Sequence, residues 1–234
     1  MRLKKTLTAL LIAVSATMTT SCASQEQRLA DFMTGDGFSL GDGGGDLERE
    51  LNSLRVVTKV DNRDYKRSYF GASWTDRNDA DPGGTSRNGC DTRNDMLSRD
   101  LTNIKKEGNC KVVSGLLSPD PYTGRDIPFL YGRDTSSAIQ IDHIVSLKDA
   151  WVSGADSFST ETRTNIANDP LNLIASDGPS NMRKQAQDAT TWLVPDNPSF
   201  RCEYASRTVQ VKYKYGLGVS ENDYAALRTT LNNC

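Results

Sequence analysis

The fold is decided by residues 138–145, which read Ala138-Ile139-Gln140-Ile141-Asp142-His143-Ile144-Val145. Apolar and polar residues alternate along most of this stretch, which is typical of a β-strand with one buried face. Neighbouring residues of a regular strand point to opposite faces, so Asp142 and His143 can serve one site only if the strand bends. We therefore predict a strand that breaks at or just after His143.

A second strand and a helix are predicted downstream of this stretch. Residues 171–175 are a short, mostly apolar run, and Asp177-Gly178-Pro179 has the composition of a turn. A helix should then begin at Ser180 or Asn181 and run to about Ala189. The insertion between the two strands contains a helix that starts near Ser159 and should end before Pro170. This order predicts an α+β domain in which two strands are followed by a helix.

The rest of the chain gives weaker patterns. Residues 47–60 have helical spacing, although Val56-Val57 could open a strand, and Asp91 to Lys106 reads as a helix. Residues 209–215 alternate between apolar and polar side chains, and a last helix is predicted from about Glu221 to Leu231. The three tryptophans, Trp74, Trp151 and Trp192, are predicted to be core residues, with stacking on nucleic-acid bases as the alternative.

Length and composition predict one globular domain behind an export sequence. The chain has 234 residues, of which 36% are hydrophobic and 25% are charged. Residues 1–21 combine the basic residues Arg2, Lys4 and Lys5 with a short apolar run, as a secretory signal does. The Gly/Asp-rich residues 22–46 are predicted to be a flexible tether, and residues 47–234 the folded domain.

The five cysteines support export into an oxidising compartment. Cys22 stands where a lipoprotein signal would place its acylated cysteine, and ordinary cleavage of the signal is the alternative. Four cysteines then remain, which suits two disulfides. Of three possible pairings we favour Cys90–Cys110 and Cys202–Cys234, because each closes a loop within one region of the sequence, worth about 3 kcal/mol. The cysteines are widely spaced without a C-x-x-C motif, so a zinc site is disfavoured.

The net charge is not that of a typical nucleic-acid-binding protein. The formal charge is −2, and removal of Arg2, Lys4 and Lys5 with the leader makes it −5. A protein that binds DNA without sequence preference is expected to be basic. The stretch 182–215 is locally basic, with six Lys or Arg against three acidic residues, and the local field near a site matters more than the total.

His143, the only histidine, is the candidate catalytic residue. A lone histidine is often structural, but Asp142 precedes it, and Asn172, Asn181 and Lys184 follow in the strand–turn–helix region. Hydrolysis of a phosphodiester needs a water, a base that deprotonates it and a cation that stabilises the developing charge. Neutral imidazole is a suitable base near pH 7. Asp142 and Asn181 would supply the oxygen ligands that a hard divalent cation prefers.

The neighbouring residues have secondary roles in this interpretation. Asn172 would orient the imidazole or hold the loop between the strands. Lys184, at i+3 from Asn181, shares its helix face and could contact the phosphate. Arg93 and Arg183 are the candidate substrate-binding residues, and for Arg93, which stands at a loop–helix junction, a surface or salt-bridging role is the alternative.

The motifs around these residues resemble those of a known group of proteins. Asp142-His143-Ile144-Val145, Asn172-Leu173 and Asn181-x-x-Lys184 resemble the HNH endonuclease superfamily in its His-Asn-Asn form. A wider set resembles the secreted HNH proteins related to the C-terminal domain of GmrSD restriction enzymes. Its stretches are residues 89–95, 120–124, 142–147, 150–155, 167–173 and 202–204. The His-Asn-Asn pattern alone is weak, but the ordered set is specific.

The resemblance implies a ββα-metal core and a role for each matching residue. His143 would be the general base, Asp142 and Asn181 the metal ligands, and Asn172 the central asparagine of the motif. An asparagine at position 181, where many relatives carry a histidine, favours Mg²⁺ or Mn²⁺ over zinc. Ser146 stands where many relatives carry a proline.

The sequence therefore predicts an exported, monomeric, metal-dependent endonuclease that is extracellular or attached to the cell surface. Its substrate would be DNA, with RNA as the alternative, and the membrane would be contacted only through a lipid on Cys22. The competing hypothesis is a surface lipoprotein that uses an HNH-like fold as a binding module, which the acidic net charge favours. A serine hydrolase is disfavoured because the sequence has no G-x-S-x-G motif.

Overall fold

A computed structural model describes residues 40–59 and 64–234, with side chains from residue 45 onward. The predicted leader at residues 1–21, Cys22 and most of the predicted tether lie outside the described residues. Within the described ranges, none of the helices has both the length and the apolar character needed to cross a membrane. Residues Asp42–Cys234 form one compact unit, and the sheets, the core and the candidate site all lie within it.

Seven α-helices and five β-strands make up the described part of the chain, in agreement with the predicted α+β class. The helices are α1 Leu40–Ser53, α2 Thr92–Asp100, α3 Leu147–Val152, α4 Thr160–Asn168, α5 Gly178–Lys184, α6 Arg201–Tyr215 and α7 Glu221–Leu231. The strands are β1 Thr102–Glu107, β2 Lys111–Leu117, β3 Ile127–Leu130, β4 Ile139–His143 and β5 Leu173–Asp177.

The strands form two small antiparallel sheets. One has the order β1-β2-β3, and the other pairs β4 with β5 in a register that runs from Ile139 opposite Asp177 to His143 opposite Leu173. The expectation that the strand breaks at or just after His143 is confirmed, because β4 ends at this residue. The helix between the strands also begins after Ser159 and ends before Pro170, as predicted.

Each face of the β4–β5 sheet is buried. Ile139, Ile141, Leu173 and Ala175 pack with α2 and the three-stranded sheet in one apolar cluster. On the other face, Ile174 packs with an aromatic group contributed partly by α6, formed by Tyr122, Trp192 and Tyr204. The sheet is therefore a central element, and residues at its end are held from both sides.

The helix predicted from Asp91 to Lys106 is wrong in its second half. Helix α2 ends at Asp100, Leu101 is extended with φ −97° and ψ 145°, and β1 begins at Thr102. The apolar residues Leu101 and Ile104 fit a helical period, but they pack in the cluster beside the three-stranded sheet instead. Pairing of β1 with β2 has overridden the local helical pattern.

Two expectations for the later helices are also corrected. The alternating residues 209–215 belong to helix α6, because burial follows a helical period over the longer stretch that contains Tyr204, Thr208 and Val211. Helix α5 ends at Lys184 rather than near Ala189, since Gln185 adopts a left-handed φ of 52°. The last helix, Glu221–Leu231, has the predicted bounds.

The boundary of the predicted tether is wrong as well. Helix α1 begins at Leu40, so the last seven residues of the range 22–46 are helical. Glycine is a weak helix former, but Leu47, Leu51 and Leu54 bury their side chains against α6 and α7 and stabilise the helix. The helix ends at Ser53, and Val56 forms an isolated bridge with Val219 rather than opening a strand.

Both predicted disulfides are present. Cys90–Cys110 and Cys202–Cys234 have Cα–Cα distances of 5.3 Å and 5.8 Å, within the range that the bond requires. The first joins the start of α2 to the turn between β1 and β2, and the second ties the start of α6 to the end of the chain. All four cysteines of the folded unit are therefore paired, which removes them as zinc ligands.

Candidate active site

The start of helix α5 is fixed against strand β4. Asp177 caps the helix by accepting a hydrogen bond from the Ser180 amide at 2.9 Å. Gly178 approaches the preceding loop so closely that a Cβ there would lie 2.1 Å from the Ser137 carbonyl oxygen. This packing brings Asn181, one turn into the helix, over the polar face of β4.

A cavity of about 440 Å³ opens where β4 ends and α5 begins. Four of the predicted site residues line it together: Arg93, Asp142, His143 and Asn181. Other residues that line it were not predicted as site residues and include Arg67, Trp74, Gln140 and Gln185. Asp142 and His143 both line this one cavity, as a shared site requires.

The imidazole of His143 is oriented by a backbone carbonyl. Its Nε2 lies 3.0 Å from the Ala167 carbonyl oxygen. A carbonyl only accepts, so Nε2 carries the proton and Nδ1 of the neutral ring keeps its lone pair. Burial, followed by the positive charge of Arg67, lowers the pKa of His143 to about 4. The ring is therefore a neutral base throughout the physiological pH range.

Asp142 presents only one of its carboxylate oxygens to the cavity. The other, Oδ2, accepts hydrogen bonds from the Tyr122 hydroxyl at 2.5 Å and the Lys184 ammonium at 2.7 Å. Burial raises the pKa of the Tyr122 hydroxyl, and the Asp142 charge raises it further, so Tyr122 remains a donor. Within residues 40–59 and 64–234, Oδ1 has no hydrogen-bond partner, and it is the oxygen left available to a ligand.

Asn181 is held in one orientation by Gln140. Its Nδ2 donates to Gln140 Oε1 at 2.9 Å, so its carbonyl oxygen is free of partners among the described residues. No group of three or more His, Cys, Asp or Glu side chains in the described part of the chain could hold a metal ion. A cation at this site would therefore have two protein ligands, the carboxylate oxygen of Asp142 and the amide oxygen of Asn181. Both are hard oxygen donors, which suit Mg²⁺ or Mn²⁺.

The predicted phosphate contact of Lys184 is corrected by its burial. Lys184 is 0% exposed and does not line the cavity. It shares a helix side with Asn181, but its ammonium donates to Asp142 and to the His143 carbonyl oxygen at 2.6 Å. The helix sits so close to β4 that this face is covered by protein. Lys184 is thus a positioning residue behind Asp142 and His143.

Arg183, predicted to bind substrate, is also placed elsewhere. Its guanidinium is exposed, forms an ion pair with Asp196 at 2.7 Å and does not line the cavity. Adjacent residues of a helix point about 100° apart, so Arg183 projects away from the face that carries Asn181. The expected contact of Arg183 with substrate is therefore wrong, and its guanidinium forms a surface ion pair instead.

Asn172 holds the backbone on both sides of the histidine. Its Oδ1 accepts from the Val145 amide at 2.8 Å, and its Nδ2 donates to the carbonyl oxygens of Val145 and Ile166. Val145 follows the bend after His143, and Ile166 precedes the carbonyl that binds the imidazole. Of the two predicted contacts, Asn172 makes the one with the loop, and through it fixes the surroundings of His143.

The tryptophans divide between core and site. Trp151 and Trp192 are buried in two apolar clusters, as predicted. Trp74 is half-buried and lies parallel to His143, with ring centroids 5.7 Å apart and an interplanar angle of 12°. It packs against the apolar cluster beside the three-stranded sheet and also lines the cavity, so the expectation of a core residue holds only in part for Trp74. Its left-handed φ of 56° brings the ring to this position.

Comparison with known proteins now identifies the chain. The family described as "GmrSD restriction endonucleases, C-terminal domain" matches residues 91–230, which is more than half of the sequence. The chain belongs to this family. A curated relative from Arthroderma benhamiae, described as an "Uncharacterized secreted protein", is 37% identical over 147 residues, covering 62% of this chain and 68% of the relative. No solved structure matches the chain.

The family match contains most of the cavity. Arg93, Asp142, His143, Asn181 and the supporting residues Asn172 and Lys184 all lie within residues 91–230. Membership of the GmrSD C-terminal domain family indicates a nuclease-related role, with nucleic acid as the class of substrate. Arg67 and Trp74 line the same cavity but precede the GmrSD-matched region.

Arg67 is the charged residue of the cavity lining that sequence reasoning missed. It lies on a short 3₁₀ helix, Arg67–Phe70, far along the chain from His143. No motif in the sequence marks this segment, and an isolated arginine beside aromatic residues has no predictive pattern. Only the tertiary packing brings it to the cavity.

Proposed function

We propose that this chain is an exported, metal-dependent endonuclease with an HNH-type ββα-metal core that hydrolyses phosphodiester bonds in DNA, with RNA as the alternative substrate. His143 is the general base, and Asp142 and Asn181 hold Mg²⁺ or Mn²⁺. Asn172 and Lys184 position these groups, and Arg93 contacts the substrate.

The observation that carries the proposal is the state of His143. A neutral imidazole with Nε2 bonded to the Ala167 carbonyl must present Nδ1 as a proton acceptor. The imidazole lies in the lining of the cavity that also contains the free oxygens of Asp142 and Asn181. A base beside hard oxygen ligands is what activation of water at a phosphodiester requires.

The chain's own residues divide the work of hydrolysis. His143 accepts the proton of the attacking water at Nδ1, while the Ala167 carbonyl stabilises the imidazolium that forms. Tyr122 and Lys184 fix the carboxylate of Asp142, so its free oxygen is held in one direction. Among the described residues, the guanidinium of Arg93 bonds to the carbonyls of Ser136 and Ile139 alone, and it has remaining donors for a phosphate. A bound Mg²⁺ or Mn²⁺ would stabilise the negative charge that develops on the phosphate and the leaving oxygen.

Export belongs to the proposal. The basic and apolar residues of 1–21 have the pattern of a secretory signal, and the fungal relative is described as secreted. The two disulfides require an oxidising compartment. Acylation of Cys22 would attach the protein to the cell surface. Partition into detergent, lost in Cys22→Ala, would reveal the lipid, and mass spectrometry of the mature N-terminus would reveal simple cleavage.

The decisive experiment is degradation of plasmid DNA by the chain purified with both disulfides formed. Magnesium, manganese and a chelator are compared for the unsubstituted chain, His143→Ala, Asp142→Asn and Asp134→Asn. Asp134 is exposed and lies outside the cavity, so its substitution is the matched control for the loss of one carboxylate. We expect metal-dependent nicking that falls at least a hundredfold in His143→Ala and Asp142→Asn and is unchanged in Asp134→Asn.

The same experiment tests the competing function. The acidic net charge of the mature chain favours a binding module on the cell surface. If the unsubstituted chain leaves plasmid, single-stranded DNA and RNA intact with every metal, the endonuclease proposal is wrong. Binding of the same nucleic acids without cleavage would then support the binding module.

A further inference from the structure

The segment from residue 64 to residue 75 is fixed against the cavity although it precedes the family match. Phe70 is 1% exposed and packs with Val145 and Trp151. The Tyr69 carbonyl accepts a hydrogen bond from Arg163 of helix α4 at 2.8 Å. Gly71, with φ 82°, lies so close to Thr164 that a Cβ there would be 2.6 Å from the threonine hydroxyl. The position of this segment is therefore determined by packing on α4 and on the bend after β4.

Arg67 is the charged residue that this segment contributes. It is exposed and lines the cavity next to His143. Its guanidinium has no ion-pair or hydrogen-bond partner in the described ranges. An arginine without a carboxylate partner keeps all of its donors for a ligand.

The charges around the cavity leave an excess of positive charge. The carboxylate of Asp142 is paired with the buried ammonium of Lys184 at 2.7 Å. Arg93 approaches from helix α2 with no carboxylate within ion-pair distance in the described part of the chain. Arg67 and Arg93 therefore determine the charge that an entering ligand meets. Such a cavity favours an anion even before any cation is added.

The geometry of the guanidinium suits one class of ligand. Its planar set of donors matches two oxygens of a phosphate, and the pairing is stronger than a neutral hydrogen bond. Arg67 and Arg93 belong to separate elements and line one cavity with His143. A phosphodiester held by both would lie beside the base.

We propose that Arg67 binds the phosphate of the substrate directly, so that a segment outside the family-matched region completes the anion-binding part of the cavity. This inference rests on the proposed function, because it names a substrate contact of that same site. It adds that nucleic-acid binding through Arg67 does not depend on the metal.

The test measures binding without reaction. A fluorescein-labelled oligothymidine is titrated with the His143→Ala chain in the presence of a chelator, and the measurement is repeated with Arg67→Gln, Arg67→Lys and Arg77→Gln. Arg77 is an exposed arginine on the same side of the family boundary and does not line the cavity, so it is the matched control for charge.

We expect Arg67→Gln to weaken binding about tenfold and Arg67→Lys to weaken it less, because the ammonium keeps the charge but not the planar donors. In a plot of the logarithm of the binding constant against the logarithm of the salt concentration, the slope should become about 0.7 less steep in Arg67→Gln. This is the change expected for one lost phosphate contact on a single strand. Arg77→Gln should change the affinity by less than about twofold.

Three results would overturn the inference: no measurable binding by the reference chain, unchanged binding in Arg67→Gln, or an equal loss in Arg77→Gln. If plasmid cleavage is metal-dependent and any of these three results is also found, the endonuclease proposal still holds and only the role of Arg67 is wrong. Conversely, if binding follows the expected pattern but no metal supports cleavage, the phosphate contact of Arg67 still holds and the endonuclease proposal is wrong.

Discussion

Two lysines in the described part of the chain are fully buried, each paired with an aspartate, and the two pairs have different roles. Lys184 donates to Asp142 at 2.7 Å beside the cavity, and Lys212 donates to Asp149 at 2.8 Å inside the helical part of the unit. Both lysines are 0% exposed. In the first pair one carboxylate oxygen faces a cavity, whereas in the second the carboxylate is surrounded by protein.

The second pair belongs to a closed network. Asp149 also binds Lys59 at 2.7 Å. Lys59 and Lys212 in turn both lie within 4 Å of Asp223, which is 0% exposed. Although burial raises the pKa of Asp149, Lys212 and Lys59 outweigh it and lower the pKa to about 2. Each carboxylate of this network lies within 4 Å of a lysine ammonium, whereas Asp142 keeps one oxygen open to a ligand. The comparison teaches that a buried ion pair indicates a site only where one partner keeps a free atom at a cavity.

Removal of Lys212 should produce the largest effect on stability. In Lys212→Met the carboxylates of Asp149, Asp223 and Asp188 remain near Lys59 alone, and an uncompensated buried charge costs about 3–5 kcal/mol. Urea denaturation would measure this loss, and cleavage by the protein that remains folded should be unchanged. Lys212→Met combined with Asp223→Asn should recover part of the stability, and a fully stable single variant would contradict the closed-network interpretation.

The same substitution at Lys184 should cost less stability and more activity. Lys184→Met leaves Asp142 with the Tyr122 hydroxyl and a cavity that water can enter, so we expect a loss of about 2 kcal/mol. The carboxylate loses its fixed direction, and we expect kcat to fall tenfold or more. Urea denaturation and plasmid cleavage, run beside Lys212→Met, would separate the two pairs. Equal effects of both substitutions on kcat would mean that the open oxygen of Asp142 has no special role.

The open site should also make stability depend on pH through His143. Its pKa is about 4 in the folded chain, against an ordinary value of 6.5, so the unfolded chain binds more protons between these values. Stability is therefore lost as the pH falls from about 6.5 to about 4, by about 3 kcal/mol for His143 alone, and is unaffected above that window.

This pH dependence can be measured on the metal-free protein in a chelator. The unfolding free energy of the chain minus that of His143→Gln should fall as the pH drops from about 6.5 to about 4, because only the chain with the imidazole loses this stability and glutamine does not titrate. His143 is the only histidine, so its imidazole NMR signals report its pKa without assignment. A pKa near 6.5 in the folded protein would contradict the buried, neutral base.

Much of the open site, but little of the closed network, was predictable from the sequence. Asp142, His143 and Asn181 lie in short motifs whose strand and helix patterns are local, and the break at His143 followed from the need for two neighbours to face one site. The inward direction of Lys184 was not predictable, because i+3 spacing gives a helix side but not what covers it. Lys59, Asp149 and Lys212 come from distant segments that no local pattern connects.

The smallest expected effect concerns Trp74, which touches the open site without contributing a charge. Its ring is stacked on the imidazole at 5.7 Å, so it restricts the ring plane and excludes water from one face. In Trp74→Leu the pKa of His143 should rise toward its ordinary value, and kcat should fall about fivefold, since such aromatic pairs are worth about 1 kcal/mol. Trp74→Phe keeps a stacked ring and should retain most of both properties. If Trp74→Leu changed only the unfolding free energy, Trp74 would be a core residue at the edge of the cavity. The active site would then include the His143 imidazole but not Trp74, and Arg67 would be the residue that the segment before residue 91 contributes to the site.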